Sequence, residues 1–69
     1  MKAKIKGFDL SVVELDNDMI AVNFDKDGKT GGYISIKLDD DGVVVDVFNA
    51  CGDCICSTWT FYNELMQGE

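Results

Sequence analysis

Cys51, Cys54 and Cys56 fall within six positions and are the residues whose type and spacing come nearest to chemistry. Cys51-Gly52-Asp53-Cys54 is a CxxC, a spacing used both for thiol redox work and for metal binding. Redox chemistry needs the first thiolate at a helix N-terminus inside a βαβ unit. Here a hairpin pattern precedes the motif and no parallel unit is in view. Structural zinc needs four ligands, and the chain has no histidine. A fourth ligand would have to be Asp53, water or a second subunit. The plainer reading makes the three cysteines small apolar residues of a turn and a strand. No cofactor is expected, and Cys51, Cys54 and Cys56 stand as candidates for a metal only.

Carboxylates are the other chemical resource. Asp25-Lys26-Asp27-Gly28-Lys29 has the outline of the start of a calcium loop, which requires oxygen ligands at alternate positions and a bidentate glutamate at the twelfth. Lys29 occupies a ligand position and Ile36 the twelfth, so a solvated loop fits better. Acid and base work needs carboxyl groups held in a cleft with separated pKa values, whereas most acids here sit beside glycine in turns. Without histidine there is no Ser-His or Cys-His nucleophile pair. The chain reads as a non-enzyme.

Charge is distributed unevenly. Thirteen acids face six lysines, for a net charge of -7, with neither arginine nor histidine. Lys2, Lys4 and Lys6 cluster at the start, leaving three lysines against thirteen acids, or -10, in the remainder. Ten of the acids are aspartates, short side chains carried close to the backbone. Such a chain is repelled by nucleic acid and by anionic membrane, so neither is expected as a direct partner. Rigidly held carboxylates instead imitate a phosphate backbone and attract a basic groove. The competing reading is that net charge keeps a small domain soluble and aspartate is a good turn residue. The candidate partner-binding residues are Asp16, Asp18, Asp25, Asp27, Asp39, Asp40 and Asp41, with Tyr33 as an aromatic on the solvent side of its strand.

The elements that must position these groups follow from periodicity. Sixty-nine residues allow one domain, residues 1–69, with a modest core. The segment 4–15 is apolar with parity shifts at Gly7 and between Val12 and Val13, which predicts one strand with bulges. Asp16-Asn17-Asp18 is a turn. Alternation through Ile20, Val22 and Phe24 gives a second strand. Residues 25–32 form a polar hairpin loop, and Ile34, Ile36 and Leu38 mark a third strand. Asp41-Gly42 suits a type I′ turn into a fourth strand over residues 43–48. A tight turn centred on Gly52-Asp53 precedes a short fifth strand at residues 54–56. From Trp59 the apolar residues recur at helical spacing, through Tyr62 and Met66 and from Phe61 to Leu65, which predicts a C-terminal helix. Ser57 or Thr58 is its N-cap and Gly68 its C-cap. An aromatic helix over a one-sided sheet would use Trp59, Phe61 and Tyr62 as its lid. The expected fold is α+β: a two-layer arrangement of four to five antiparallel strands covered by one C-terminal helix.

No apolar run approaches the roughly 20 residues that span a bilayer, and the N-terminal stretch lacks a signal-peptide core. A cytoplasmic location is expected, in agreement with the clustered, odd number of cysteines. The ending Val43-Val44-Val45-Asp46-Val47-Phe48, turn, Ser57-Thr58-Trp59-Thr60-Phe61-Tyr62-Asn63-Glu64-Leu65 resembles small acidic proteins of phages and mobile elements, including anti-CRISPR and anti-restriction inhibitors. The likeness lies in size, charge and this pattern. It implies an inhibitor that fills the nucleic-acid groove of a defence protein in the host cytoplasm, and it carries over no functional residue. The sequence thus favours an acidic binding protein, monomer or small homo-oligomer, whose partner is a basic protein such as a nucleic-acid-binding complex. A small assembly protein that pairs exposed sheet edges is the alternative, and a cysteine metal module the third reading.

Overall fold

The computed structural model describes residues 2–68. Six antiparallel strands follow one another as β1 (Lys2–Ile5), β2 (Phe8–Asp16), β3 (Met19–Lys26), β4 (Tyr33–Leu38), β5 (Gly42–Phe48) and β6 (Cys54–Phe61), and a single helical turn, α1 (Tyr62–Leu65), is the last element among the described residues. Each strand pairs only with its neighbours in sequence, so the sheet is a meander in the order β1 to β6.

The antiparallel sheet agrees with the sequence reading, but the strand count, the layering and the C-terminal helix as expected do not. The expected first strand is two strands. Lys6 and Gly7 have φ of 54° and 84°, the two positive values of a type I′ hairpin turn, and Ile5 pairs with Phe8 across it. The bulge in β2 lies between Glu14 and Asp16, at neither Gly7 nor Val12. A second type I′ turn is Asp27-Gly28, with φ of 53° and 77°, closed by reciprocal Lys26 and Lys29 backbone bonds of 3.0 and 2.9 Å. Gly42, by contrast, is a strand residue without positive φ, and its carbonyl accepts the Asp39 N–H at 2.8 Å.

The larger correction concerns the C-terminus. Residues 57–61 are extended, with Ser57, Trp59 and Phe61 opposite Asp46, Val44 and Gly42 of β5. Alternating Thr58 and Thr60 with aromatic Trp59 and Phe61 suits a pleated surface, and the free edge of β5 supplies the backbone partners. Only four residues remain helical; the N-cap is Phe61 without a side-chain bond, and the C-cap is Met66. So short a helix cannot cover a six-stranded sheet. The expected second layer is missing, and Trp59 and Phe61 stay 41% and 49% exposed instead of forming a lid.

Register and alternation assign the side chains to two faces. One is aliphatic: the cross-strand row Val12, Val22, Ile34, Val47 lies beside Leu10 with Phe24 and beside Ile20, Ile36 and Val45. Glu14 and Lys26 interrupt it near its ends, Lys26 Nζ resting 4.9 Å from the Phe8 ring centre. The other face is mixed. It carries Lys4, Asp9, Asp25, Lys37 and Asp46 as well as Val13, Ala21, Tyr33, Val44, Trp59 and Phe61. Ala21 is the buried hydrophobic residue there, at 4%, beside its cross-strand partner Ser35 at 8%.

The turn between β5 and β6 is built by Asn49. Its Oδ1 accepts the N–H groups of Cys51 and Asp53, both at 3.0 Å. Its backbone pairs with Asp53 and Gly52, also at 3.0 Å. Gly52, at φ 90°, makes the reversal. Asn49→Ala removes both side-chain bonds and should cost about 1–2 kcal/mol, measured as a fall in the urea midpoint with unchanged m-value.

Candidate functional site

In a meander, alternate strands run the same way, so β2, β4 and β6 all finish at one end of the sheet. That parity gathers the two aspartate turns and the helix. β2 ends in Asp16 and turns through Asn17 and Asp18, while β4 ends at Leu38 and turns through residues 39–41. Leu38 N–H donates to the Asp18 carbonyl at 2.9 Å and ties the two turns together. α1 closes the group from the side of β6: Tyr62 N–H donates to the Asp41 carbonyl at 3.0 Å, and its hydroxyl donates to the Asp39 carbonyl at 2.5 Å. The result is an open hollow of about 370 Å³ lined by Asp18, Leu38, Asp39, Asp40, Asp41 and Trp59.

The carboxylates are exposed and weakly compensated. Lys37 Nζ stands 4.0 Å from Asp39 Oδ1 with both side chains about half exposed, an arrangement worth little in water. Tyr62 registers the local field. Its phenol titrates above the ordinary 10.0, first through partial burial and then through the negative charge of Asp39, Asp40 and Asp41. A phenol whose folded pKa is raised contributes stability below its unfolded pKa and loses it as pH climbs through the folded value. In a Tyr33→Phe background, phenolate absorbance should therefore show Tyr62 ionising late, and Asp40→Asn with Asp41→Asn should bring that titration down.

Five of the candidate residues, Asp16, Asp18, Asp39, Asp40 and Asp41, are thus brought to one end. Asp25 and Asp27 are not, because β3 ends at the opposite end of the sheet. Asp25 is partly buried and accepts the Gly31 N–H at 3.3 Å, and Asp27 serves the turn with Gly28. The residues of the supposed calcium loop therefore form a tight hairpin. Tyr33 lies on the mixed face, stacked on Phe48 with ring centres 4.6 Å apart, away from the acidic end. Trp59 and Tyr62 were missed as members of the site. Alternation through Ser57, Trp59 and Phe61 was the available signal, masked by the helical spacing from Trp59 onward.

The cysteines are all exposed. Cys54 pairs with Phe48 and Cys56 with Val47, which places them on opposite faces across a bulge at Ile55, while Cys51 sits in the preceding turn. Among the described residues no group of three or more His, Cys, Asp or Glu side chains is arranged to hold a metal ion. No helix among them is long and apolar enough to cross a membrane. What fold and site define is a single-layer antiparallel meander with one acidic end. Comparison of this chain with protein-family models, characterised proteins and solved structures finds no match to any of them.

Proposed function

We propose that this chain is a non-enzymatic binding protein whose acidic end docks into a basic groove of a nucleic-acid-binding protein and competes there with nucleic acid, in the manner of an anti-CRISPR-like inhibitor. One observation carries the reading: five aspartates from two alternate turns share one end of the sheet, facing water, with Lys37 as the nearby cation. Their short side chains sit on turns fixed by backbone bonds to Asp18, Asp39 and Asp41, so little freedom is lost when a cationic surface meets them. Asp16, Asp18, Asp39, Asp40 and Asp41 are the contact residues, with Tyr62 as the brace; Asp25, Asp27 and Tyr33 fall outside the contact.

The test is capture of partners from a host-cell lysate, followed by displacement with salt and with duplex DNA. The expected partner is a basic nucleic-acid-binding protein released by both, and no longer captured when Asp39, Asp40 and Asp41 are replaced by asparagine. Capture indifferent to salt, duplex and the triple substitution overturns the reading.

A further inference from the structure

The uncovered aliphatic face has no counterpart within the chain. Ala21 is the buried hydrophobic residue among those described, and no large side chain is fully buried. The accessible surface is 5399 Å², whereas a compact protein of 7.6 kDa exposes roughly 4,300 Å². The radius of gyration is 13.5 Å against about 11 Å for a compact chain of this length. Each copy therefore exposes about 1,100 Å² more than a self-contained domain does.

We infer that the aliphatic face is the contact surface of a homodimer in which two copies stack face to face as a two-layer sheet sandwich. Burying the excess on both copies removes about 2,200 Å² in all, within the range of obligate homodimers. The face suits a second copy of itself: its central row, Val12, Val22, Ile34 and Val47, is uncharged, and a shallow hollow of about 530 Å³ beside it, lined by Phe8, Phe24 and Ile55 among others, offers room for a partner's side chains. A single-layer sheet needs its cover whenever it is folded, and the one partner always present in matching amount is another copy. Pairing through the β1 edge is disfavoured because Lys2 and Lys4 line that strand and would meet like charges. An anionic membrane is disfavoured by the net charge of -7.

This contact is separate from the acidic end, and salt tells the two apart. Two copies of a -7 chain repel, so an apolar contact between them tightens as salt rises, whereas the acidic contact weakens. Sedimentation from about 1 to 100 µM should show a species of twice 7.6 kDa, favoured by higher salt, and the urea midpoint should rise with protein concentration. Val12 and Val13 are matched probes, 40% and 38% exposed on opposite faces. Val12→Lys should weaken the dimer at least about 100-fold and Val13→Lys less than about threefold. If Val12→Lys fails to fold, the concentration dependence of the unsubstituted chain still decides. A monomer throughout with a fixed urea midpoint, a dimer dispersed by salt, or equal responses of the two variants overturns the inference.

Discussion

Gly42→Ala should leave little folded protein. Gly42 is the buried first residue of β5 and lies opposite Phe61. A β-carbon there would collide with the Thr60 carbonyl oxygen and stand 2.9 Å from Cζ2 of Trp59 and 3.1 Å from the Phe61 Cα. Two of those three neighbours are backbone, so relief requires β6 to move off β5 and break the ladder that holds the C-terminal strand. Overpacking costs about 1–3 kcal/mol when side chains can adjust, and more when backbone has to. A domain this small has a margin of about 3–5 kcal/mol. Circular dichroism and solubility should report loss of the sheet, while Gly68→Ala, with open space around it, should match the unsubstituted protein. A Gly42→Ala chain with an unaltered urea midpoint contradicts the β5–β6 pairing described above.

The second large effect is expected at the acidic end. Replacing Asp39, Asp40 and Asp41 together by asparagine keeps size but removes three negative charges beside Lys37. At about 1 kcal/mol per interfacial carboxylate, the loss is roughly 3 kcal/mol, or about 100-fold in dissociation constant. Most of it should appear as slower association and a shallower salt dependence, since charges at a contact steer encounter. Asp25→Asn, at the far end of the sheet, should weaken binding far less. Binding measured against the captured partner at two salt concentrations separates these outcomes, and equal losses for Asp25→Asn and the triple variant would count against the acidic end.

How legible this arrangement was in the sequence varies along the chain. Strands β3, β4 and β5 were readable because Ile20, Val22 and Phe24, then Ile34, Ile36 and Leu38, then Val43, Val45 and Val47 alternate without a break. The β1–β2 hairpin was not, since Lys6-Gly7 lacks the usual Asn-Gly or Asp-Gly of a type I′ turn, and a parity shift at glycine looks the same for a bulge as for a reversal. The C-terminal strand is not legible because Trp59 and Phe61 fit a two-residue period while Trp59 with Tyr62 and Phe61 with Leu65 fit a helical one, and short apolar runs do not distinguish the two. Tertiary pairing with β5 decides the matter, and no local pattern carries it. For the site, the turns bearing the aspartates were visible, but which turns share an end depends on the number of strands between them. That number is legible here, since β3 and β4 both are, and it already puts Asp25 and Asp27 at the end opposite Asp16, Asp18, Asp39, Asp40 and Asp41; what stays hidden is that the C-terminal strand brings Trp59 and Tyr62 to the acidic end.

The strictly sequential order of the strands has a kinetic consequence. Every backbone ladder joins segments adjacent along the chain, so contact order is low for an all-sheet protein, and hairpins can zip outward from β3–β4 without closing a long loop. The same order makes protection graded. β1 and the end of β6 have a neighbour on one side only, and their amides should exchange with solvent well before those of Ala21 and Ser35 at the centre.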